Sequence, residues 1–332
     1  MYNKIKTKIL GRDAFVFEGL CNFSLSDTFE CGQAFRFVKL SPSDSGEENG
    51  IGALYPGYVE YMTTAYGKLL FVGQRSRDEL IVFTDEEEMS RFAERYFALD
   101  VDYGEIKRDI KSKTDSEFLN NAADVAQGIR ILRQEPWEAL FSFIVSQNNN
   151  IPRIKKIIRA LAVAYGDNLA DCEGLSECPL EALENRKCGA KLNTDACIKC
   201  GICYSFPKPD AVSKAPELMQ PSHPGFRYKY LLDAAEKVAS GEIDLEKITK
   251  AASYEYTLSE LMKIKGVGEK VASCTALFAF SNLDAFPIDV WMRRAIDEYF
   301  GGELDPKTLG KYAGVAQQYI FHYSRLHPEK FA

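Results

Sequence analysis

The stretch Leu261-Met262-Lys263-Ile264-Lys265-Gly266-Val267-Gly268-Glu269-Lys270-Val271-Ala272 decides how this chain folds. Apolar residues at helical spacing run from Tyr256 to Ile264, stop at a Gly-x-Gly turn, and resume from Glu269 to Phe280. The pattern predicts two helices joined by a tight hairpin. Gly266 and Gly268 let the backbone turn sharply and approach another backbone with no Cβ in the way. N–H groups exposed at the start of the second helix suit a phosphate, and Lys263 and Lys265 stand alongside. A plain helix connector with a glycine cap has the same pattern, so the hairpin alone does not separate the two uses.

The neighbours of the hairpin carry chemistry. Lys270 opens the second helix, whose positive end disfavours a charged amine. A lysine that attacks carbon must be neutral part of the time. Further on, Phe286-Pro287-Ile288-Asp289-Val290 is an extended Pro-containing turn with an aspartate opening the next helix. Asp289 in that position suits a plain N-cap. A carboxylate aimed at a sugar also stabilises the cationic state formed as a glycosidic bond breaks, and one residue can hold both roles.

Outward from the hairpin the chain divides by periodicity. Helical patterns cover Trp137 to Val145 (apolar nearly all round, hence a buried helix), Ile154 to Tyr165, a segment resuming at Tyr230, Val290 to Tyr299 and Tyr312 to Leu326. The first hundred or so residues read as strands between Gly and Pro breaks, at Ile51 to Met62 and Lys68 to Gly73, with a polar loop from Ser41 to Gly50 and a helix from Glu86 to Phe97. The expected class is α+β. An antiparallel β-rich domain over residues 1–120 precedes an all-α helix-hairpin-helix domain over 121–332, which carries a cysteine-bearing insert at about 166–207. The 332 residues are 46% hydrophobic and 27% charged, ordinary for a globular protein and unlike a disordered or fibrous one.

The net charge of −7 does not advertise a nucleic-acid partner, so any DNA contact must come from a local basic patch or backbone amides. No apolar run approaches the roughly 18 to 20 residues of a membrane span, and no signal core opens the chain, so a soluble intracellular protein is expected. In that compartment the nine cysteines read as thiols or metal ligands. The three histidines, His223, His322 and His327, do not suggest a histidine-centred site.

The span Leu261 to Arg293 resembles the helix-hairpin-helix Gly-Pro-Asp DNA glycosylases, and in detail the 8-oxoguanine DNA glycosylase/lyases. The resemblance implies that Lys270 attacks C1′, expels the base, forms a Schiff base and nicks the strand by β-elimination, with Asp289 assisting. Phe141 to Ile154, with Asn148-Asn149-Asn150 at its centre, is similar to the family's Asn-rich loop. Asn148 would fill the gap left by the extruded base and Arg153 would contact the orphaned cytosine. Gly225 to Tyr230 resembles the wedge segment, with Phe226 entering the stack and Arg227 as a second cytosine contact. Phe226 departs mildly from the tyrosine often found there. For the base pocket the resemblance implies Gly32, whose carbonyl would accept from the N7–H that distinguishes 8-oxoguanine from guanine. It also implies Gln317 on the Watson–Crick edge, Phe321 stacked on the base and Cys274 covering its other face. Trp291 stands where some relatives carry a phosphate-contacting histidine, and that contact is not carried over.

Cys188, Cys197, Cys200 and Cys203 lie close in the chain and would supply four thiolates, for structural zinc ahead of an iron–sulfur cluster; Cys172 and Cys178 are spare ligands. Free thiols in a surface insert have the same spacing. The combined expectation is a monomeric, bifunctional 8-oxoguanine glycosylase and lyase, needing no cofactor for catalysis and acting on duplex DNA with cytosine opposite the lesion. An enzyme of the same fold for another damaged purine, a non-catalytic DNA-binding module and a metal-binding electron carrier are the alternatives.

Overall fold

The computed structural model describes residues 2–9, 11–40, 58–169 and 201–331. Its first part is a six-stranded antiparallel sheet of β1 (Asn3–Ile9), β2 (Arg12–Glu18), β3 (Phe37–Lys39), β4 (Val59–Ala65), β5 (Lys68–Gln74) and β6 (Glu79–Val82), in the order β1-β2-β6-β5-β4-β3. Period-two alternation is hidden in β2 because both faces are covered. Phe15 and Phe17 enter one core with Phe29, Phe37 and Tyr61, while Ala14 and Val16 meet Ile81 and Tyr58 on the other. The helix Glu87–Tyr96 closes the aromatic face.

Helices make up most of the remainder. Pro136–Ser146 is buried on nearly every side, as an all-apolar helix must be. Glu269–Ala279, Ile151–Tyr165 and Tyr228–Ala239 pack directly on it, and Tyr103–Ser112, Glu117–Val125, Tyr254–Leu261, Val290–Tyr299 and Ala313–Leu326 complete the same core. Each fully buried Phe or Leu in this core contributes about 1.5–3 kcal/mol. The helical core also takes in Cys31 and Phe35 from the loop between the helix Leu25–Glu30 and β3.

Buried polar side chains fix that loop. Gln33 donates through Nε2 to the Arg130 carbonyl at 2.7 Å and accepts through Oε1 from Leu132 N–H at 2.9 Å. Gln318 donates to the Cys31 carbonyl at 2.9 Å. Arg130, itself buried, donates to the carbonyls of Ala98, Val101 and Cys21 and lies over the Tyr103 ring. The consequence for the site is that Gly32, between Cys31 and Gln33, is held against helices from the other end of the chain.

The observed strands and helices match the predicted ones closely where both exist: β5 covers Lys68 to Gln74, and Val290–Tyr299 agrees at both ends. The expected strand at Ile51 to Met62 is described only from residue 58, and β4 begins at Val59. Of the four cysteines named as ligands, Cys188, Cys197 and Cys200 lie outside the described residues, as do Cys172 and Cys178. Cys203 is buried beside Met62, Leu69 and Ile202 on the outer face of the sheet. No helix among the described residues is long and apolar enough to cross a membrane.

Candidate active site

The hairpin forms by two distinct uses of glycine. Helix Tyr254–Leu261 ends one turn earlier than predicted, and overlapping turns (Lys263 N–H to Glu260 carbonyl, Ile264 to Leu261, Val267 to Ile264) carry the chain to Gly268. Gly266 has φ +78°, and a Cβ there would stand 2.5 Å from the Tyr230 ring. Gly268 is the N-cap of helix Glu269–Ala279, extended at φ −97°, with open space where its Cβ would be. No side chain caps that helix, so its first amides point to solvent with no intrahelical acceptor.

Lys270, half-buried in the first turn, lies with its Nζ 5.8 Å from the centroid of the Phe143 ring. Cys274 lies one helical turn on; burial pushes its thiol up, against the pull of the Lys270 charge. Asp289 is the N-cap of Val290–Tyr299: Oδ1 accepts from Met292 N–H at 2.8 Å. That bond fixes the carboxylate's direction while leaving its second oxygen to the cavity.

Lys270 and Asp289 share a small pocket with Gly32, Phe143, Cys274, Phe278, Pro287, Gln317, Gln318 and Phe321. The four residues expected from the sequence to form a base pocket therefore line one pocket with the two expected to be catalytic. Gln317 is 4% exposed, and its Oε1 is buried without a hydrogen-bond partner. Gly32 has φ +89°, and a Cβ there would sit 3.2 Å from the Phe321 ring. The pocket opens into a cleft of about 1040 Å³ lined by Asn148, Gly266, Gly268, Lys270, Asp289 and Phe321, with Trp291, Arg293, Arg294 and Arg325 at its rim.

Asn148, exposed at the cleft, has a left-handed backbone at φ 45°, which asparagine tolerates better than most residues. Its loop is tied on two sides. Gln147 Nε2 donates to the Gly266 carbonyl at 2.8 Å, joining the loop to the hairpin. Arg227, 2% exposed, donates to the carbonyls of Gln147, Asn148 and Pro224, at 2.8 Å in the case of Asn148. Its guanidinium thus anchors the loop rather than facing open solvent. Arg153 is exposed on the same side; burial, reinforced by the Arg153 charge, holds the Arg227 guanidinium below its usual range. Phe226 stands 48% exposed, edge-on to Tyr230 and beneath the Arg227 guanidinium.

Sequence reasoning missed Gln147, Arg293, Arg294 and Arg325. The two adjacent arginines, Arg293 and Arg294, carry a legible signal, being a pair of cations near the start of the helix that Asp289 caps. Gln147 and Arg325 carry none, because their roles come from contacts across long sequence separations.

Residues 17–140 match the family model for the 8-oxoguanine DNA glycosylase N-terminal domain. The chain is 34% identical to MBOgg1, solved in complex with a low-affinity DNA ligand, with 99% of each chain covered and a TM-score of 0.76. It is 31% identical to the Clostridium acetobutylicum 8-oxoguanine glycosylase/lyase, solved with double-stranded DNA containing cytosine opposite 8-oxoG, over 99% of this chain and 98% of that one, with a TM-score of 0.75. The N-glycosylase/DNA lyase of Saccharomyces cerevisiae is 26% identical over 290 residues, which are 81% of this chain and 66% of the yeast protein. At 34% identity to MBOgg1 over 99% of both chains, with the sheet-then-helices architecture shared, the chain belongs to the 8-oxoguanine DNA glycosylase family.

Proposed function

We propose that this protein excises 8-oxoguanine from duplex DNA and nicks the resulting abasic strand, with Lys270 as nucleophile and Asp289 as its electrostatic partner. The observation that carries the reading is the convergence of Lys270, Asp289, Gly32, Cys274, Gln317 and Phe321 on one pocket. A base flipped from the duplex stacks between Phe321 and Cys274 and presents its edge to Gln317, whose unpartnered Oε1 is an acceptor in want of an N–H. Lys270 Nζ attacks C1′ as the glycosidic bond breaks, and the departing electron pair goes to the base. The Asp289 carboxylate offsets the positive charge developing on the sugar. The sugar ring then opens to a Schiff base on Lys270, loss of a C2′ proton expels the 3′ phosphate, and water frees the lysine. Every group in this sequence comes from protein, DNA or water, so catalysis needs no cofactor.

The amides behind Gly268 hold a backbone phosphate, helped by the glycine at 266. Asn148 and Phe226 occupy the duplex where the base has left. Arg153 and Arg227 read the orphaned cytosine, and Arg227 exchanges its carbonyl partners to do so. We keep the division into a β-rich part, residues 1–120, and a helix-hairpin-helix part, 121–332. A DNA substrate implies an intracellular protein. Cys188, Cys197, Cys200 and Cys203 are read as a structural zinc set, which metal analysis of the purified protein tests.

Borohydride trapping on a duplex with 8-oxoguanine opposite cytosine tests the central claim. Wild type gives a covalent protein–DNA adduct and Lys270→Gln gives none while keeping the wild-type unfolding transition. An undiminished adduct in Lys270→Gln overturns the assignment.

A further inference from the structure

Beyond the wall formed by Gly32, Ile151 and Arg325 lies a second cavity of about 500 Å³. Its cations come from three separate elements: Lys39 ends β3, Lys155 and Arg159 lie one turn apart on helix Ile151–Tyr165, and Arg325 lies on helix Ala313–Leu326. One carboxylate, Glu30, borders the cavity, and its Oε1 already accepts from the Tyr61 hydroxyl at 2.7 Å.

These cations are poorly satisfied. Among the described residues, Lys155, Arg159 and Arg325 form no ion pair. The Lys155 ammonium sits 3.5 Å from the centroid of the Phe37 ring. Burial, reinforced by the Arg159 and Arg325 charges, brings it down to about 8. Arg159 donates through Nη2 to the Phe37 carbonyl at 3.1 Å, but its Nε is buried with no partner. Arg325 reaches the Glu30 carbonyl only at 3.5 Å. Phe29 and Phe37 stack on each other at 5.1 Å and are themselves buried, so they offer no free face to a nucleobase. Like charges gathered in a half-buried site repel one another and lose hydration, and an anion removes both penalties. Arginine forks and a lysine point charge together suit the several oxygens of a phosphoryl group.

We propose that this cavity is a phosphate-binding subsite of the catalytic cleft, taking a backbone phosphate of bound DNA near the flipped nucleotide. The inference rests on the cleft being the DNA site, since Gly32, Ile151 and Arg325 border both cavities. A free phosphate ion is the other source of the same chemistry.

Fluorescence anisotropy on a duplex carrying a tetrahydrofuran abasic analogue, at salt between roughly 50 and 200 mM, reads phosphate contacts from the slope of log K against log salt. Lys155→Gln and Arg159→Gln lower that slope by about 0.9 for a lost phosphate contact, and Lys155→Arg keeps it. Calorimetric titration with inorganic phosphate alone forms the second arm. A wild-type slope in both glutamine variants, with phosphate binding abolished by them, overturns the DNA assignment and gives the subsite to free phosphate. A wild-type slope with no phosphate binding by the wild-type protein overturns the subsite altogether. If wild type shows no preference for the abasic duplex, the cleft reading itself fails; phosphate binding that disappears in both glutamine variants would still uphold an anion site. Thermal unfolding of each variant confirms that a lost contact is not a lost fold.

Discussion

The two hairpin glycines make opposite predictions for the same substitution. In Gly266→Ala, an alanine must adopt φ +78°, which costs an L-residue roughly 1–2 kcal/mol. Its Cβ also meets three Tyr230 ring atoms at 2.5–2.6 Å. Moving a packed ring aside adds about 1–3 kcal/mol, so the variant loses about 2–5 kcal/mol of stability. Gly268→Ala faces neither penalty: the backbone is extended and the space is open. Its stability cost is confined to replacing glycine by alanine at an N-cap, under about 1 kcal/mol. The new methyl does, however, stand beside the uncapped amides. Gly268→Ala therefore keeps its fold and binds an abasic-analogue duplex at least tenfold more weakly, about 1.4 kcal/mol. Denaturant unfolding and anisotropy on both variants separate the effects. A Gly266→Ala protein as stable as wild type, or a Gly268→Ala protein with undiminished DNA affinity, refutes this reading of the hairpin.

Gln317→Leu removes a buried, unpartnered acceptor, so stability holds or rises while single-turnover excision of 8-oxoguanine slows by about 1–3 kcal/mol of lost edge contact; lower stability with unchanged excision refutes the role. Arg227→Lys keeps the charge but not the fork that grips the Gln147 and Asn148 carbonyls. Excision slows and the preference for cytosine flattens across the four opposite bases, whereas unchanged selectivity counts against the arginine. Glu138 is pushed up to about 7 by burial and by Glu135, against the Arg36 guanidinium at 3.4 Å. The folded state therefore holds a proton that the unfolded state releases above its ordinary value of 4.5, and stability falls between about 4.5 and 7. Glu138→Gln abolishes that slope; an unaltered pH profile refutes the assignment.

The helical part was legible because its signals are local. Val290 to Tyr299 shows its start in Asp289, and the hairpin shows its turn in two glycines. The sheet was harder to read. Neither β1 nor β2 stood out, because β2 is covered on both faces and loses alternation, while β1 is rich in lysines whose partners are distant, such as Glu87 for Lys4. Within the site, Lys270 and Asp289 could be argued from dipole and capping chemistry. Gly32, Gln317, Phe321 and Cys274 required the resemblance, since a buried glutamine or phenylalanine reads as core until the fold places it beside a lysine. Gln147 escaped notice because its function is a bond to the Gly266 carbonyl, 119 residues away.

The acidic composition and the DNA substrate are reconciled by where cations are left without a carboxylate. Much of the basic surface is neutralised locally: Lys4 pairs with Glu87, Lys111 with Asp124, Lys237 with Glu242 and Lys263 with Glu260. Such exposed pairs contribute little to stability, but they do cancel the field of the lysines they involve. Among the described residues, Arg153, Lys270, Arg293, Arg294 and Arg325 have no such partner, and four of them line the cleft. Arg294 lies instead over the Trp291 ring, which orients its guanidinium without discharging it. An overall charge of −7 thus coexists with a cleft that is positive where a backbone must lie. On the proposed function, a net acidic chain disfavours DNA away from such unpaired cations, and the cleft that holds Lys270 is the surface left for it.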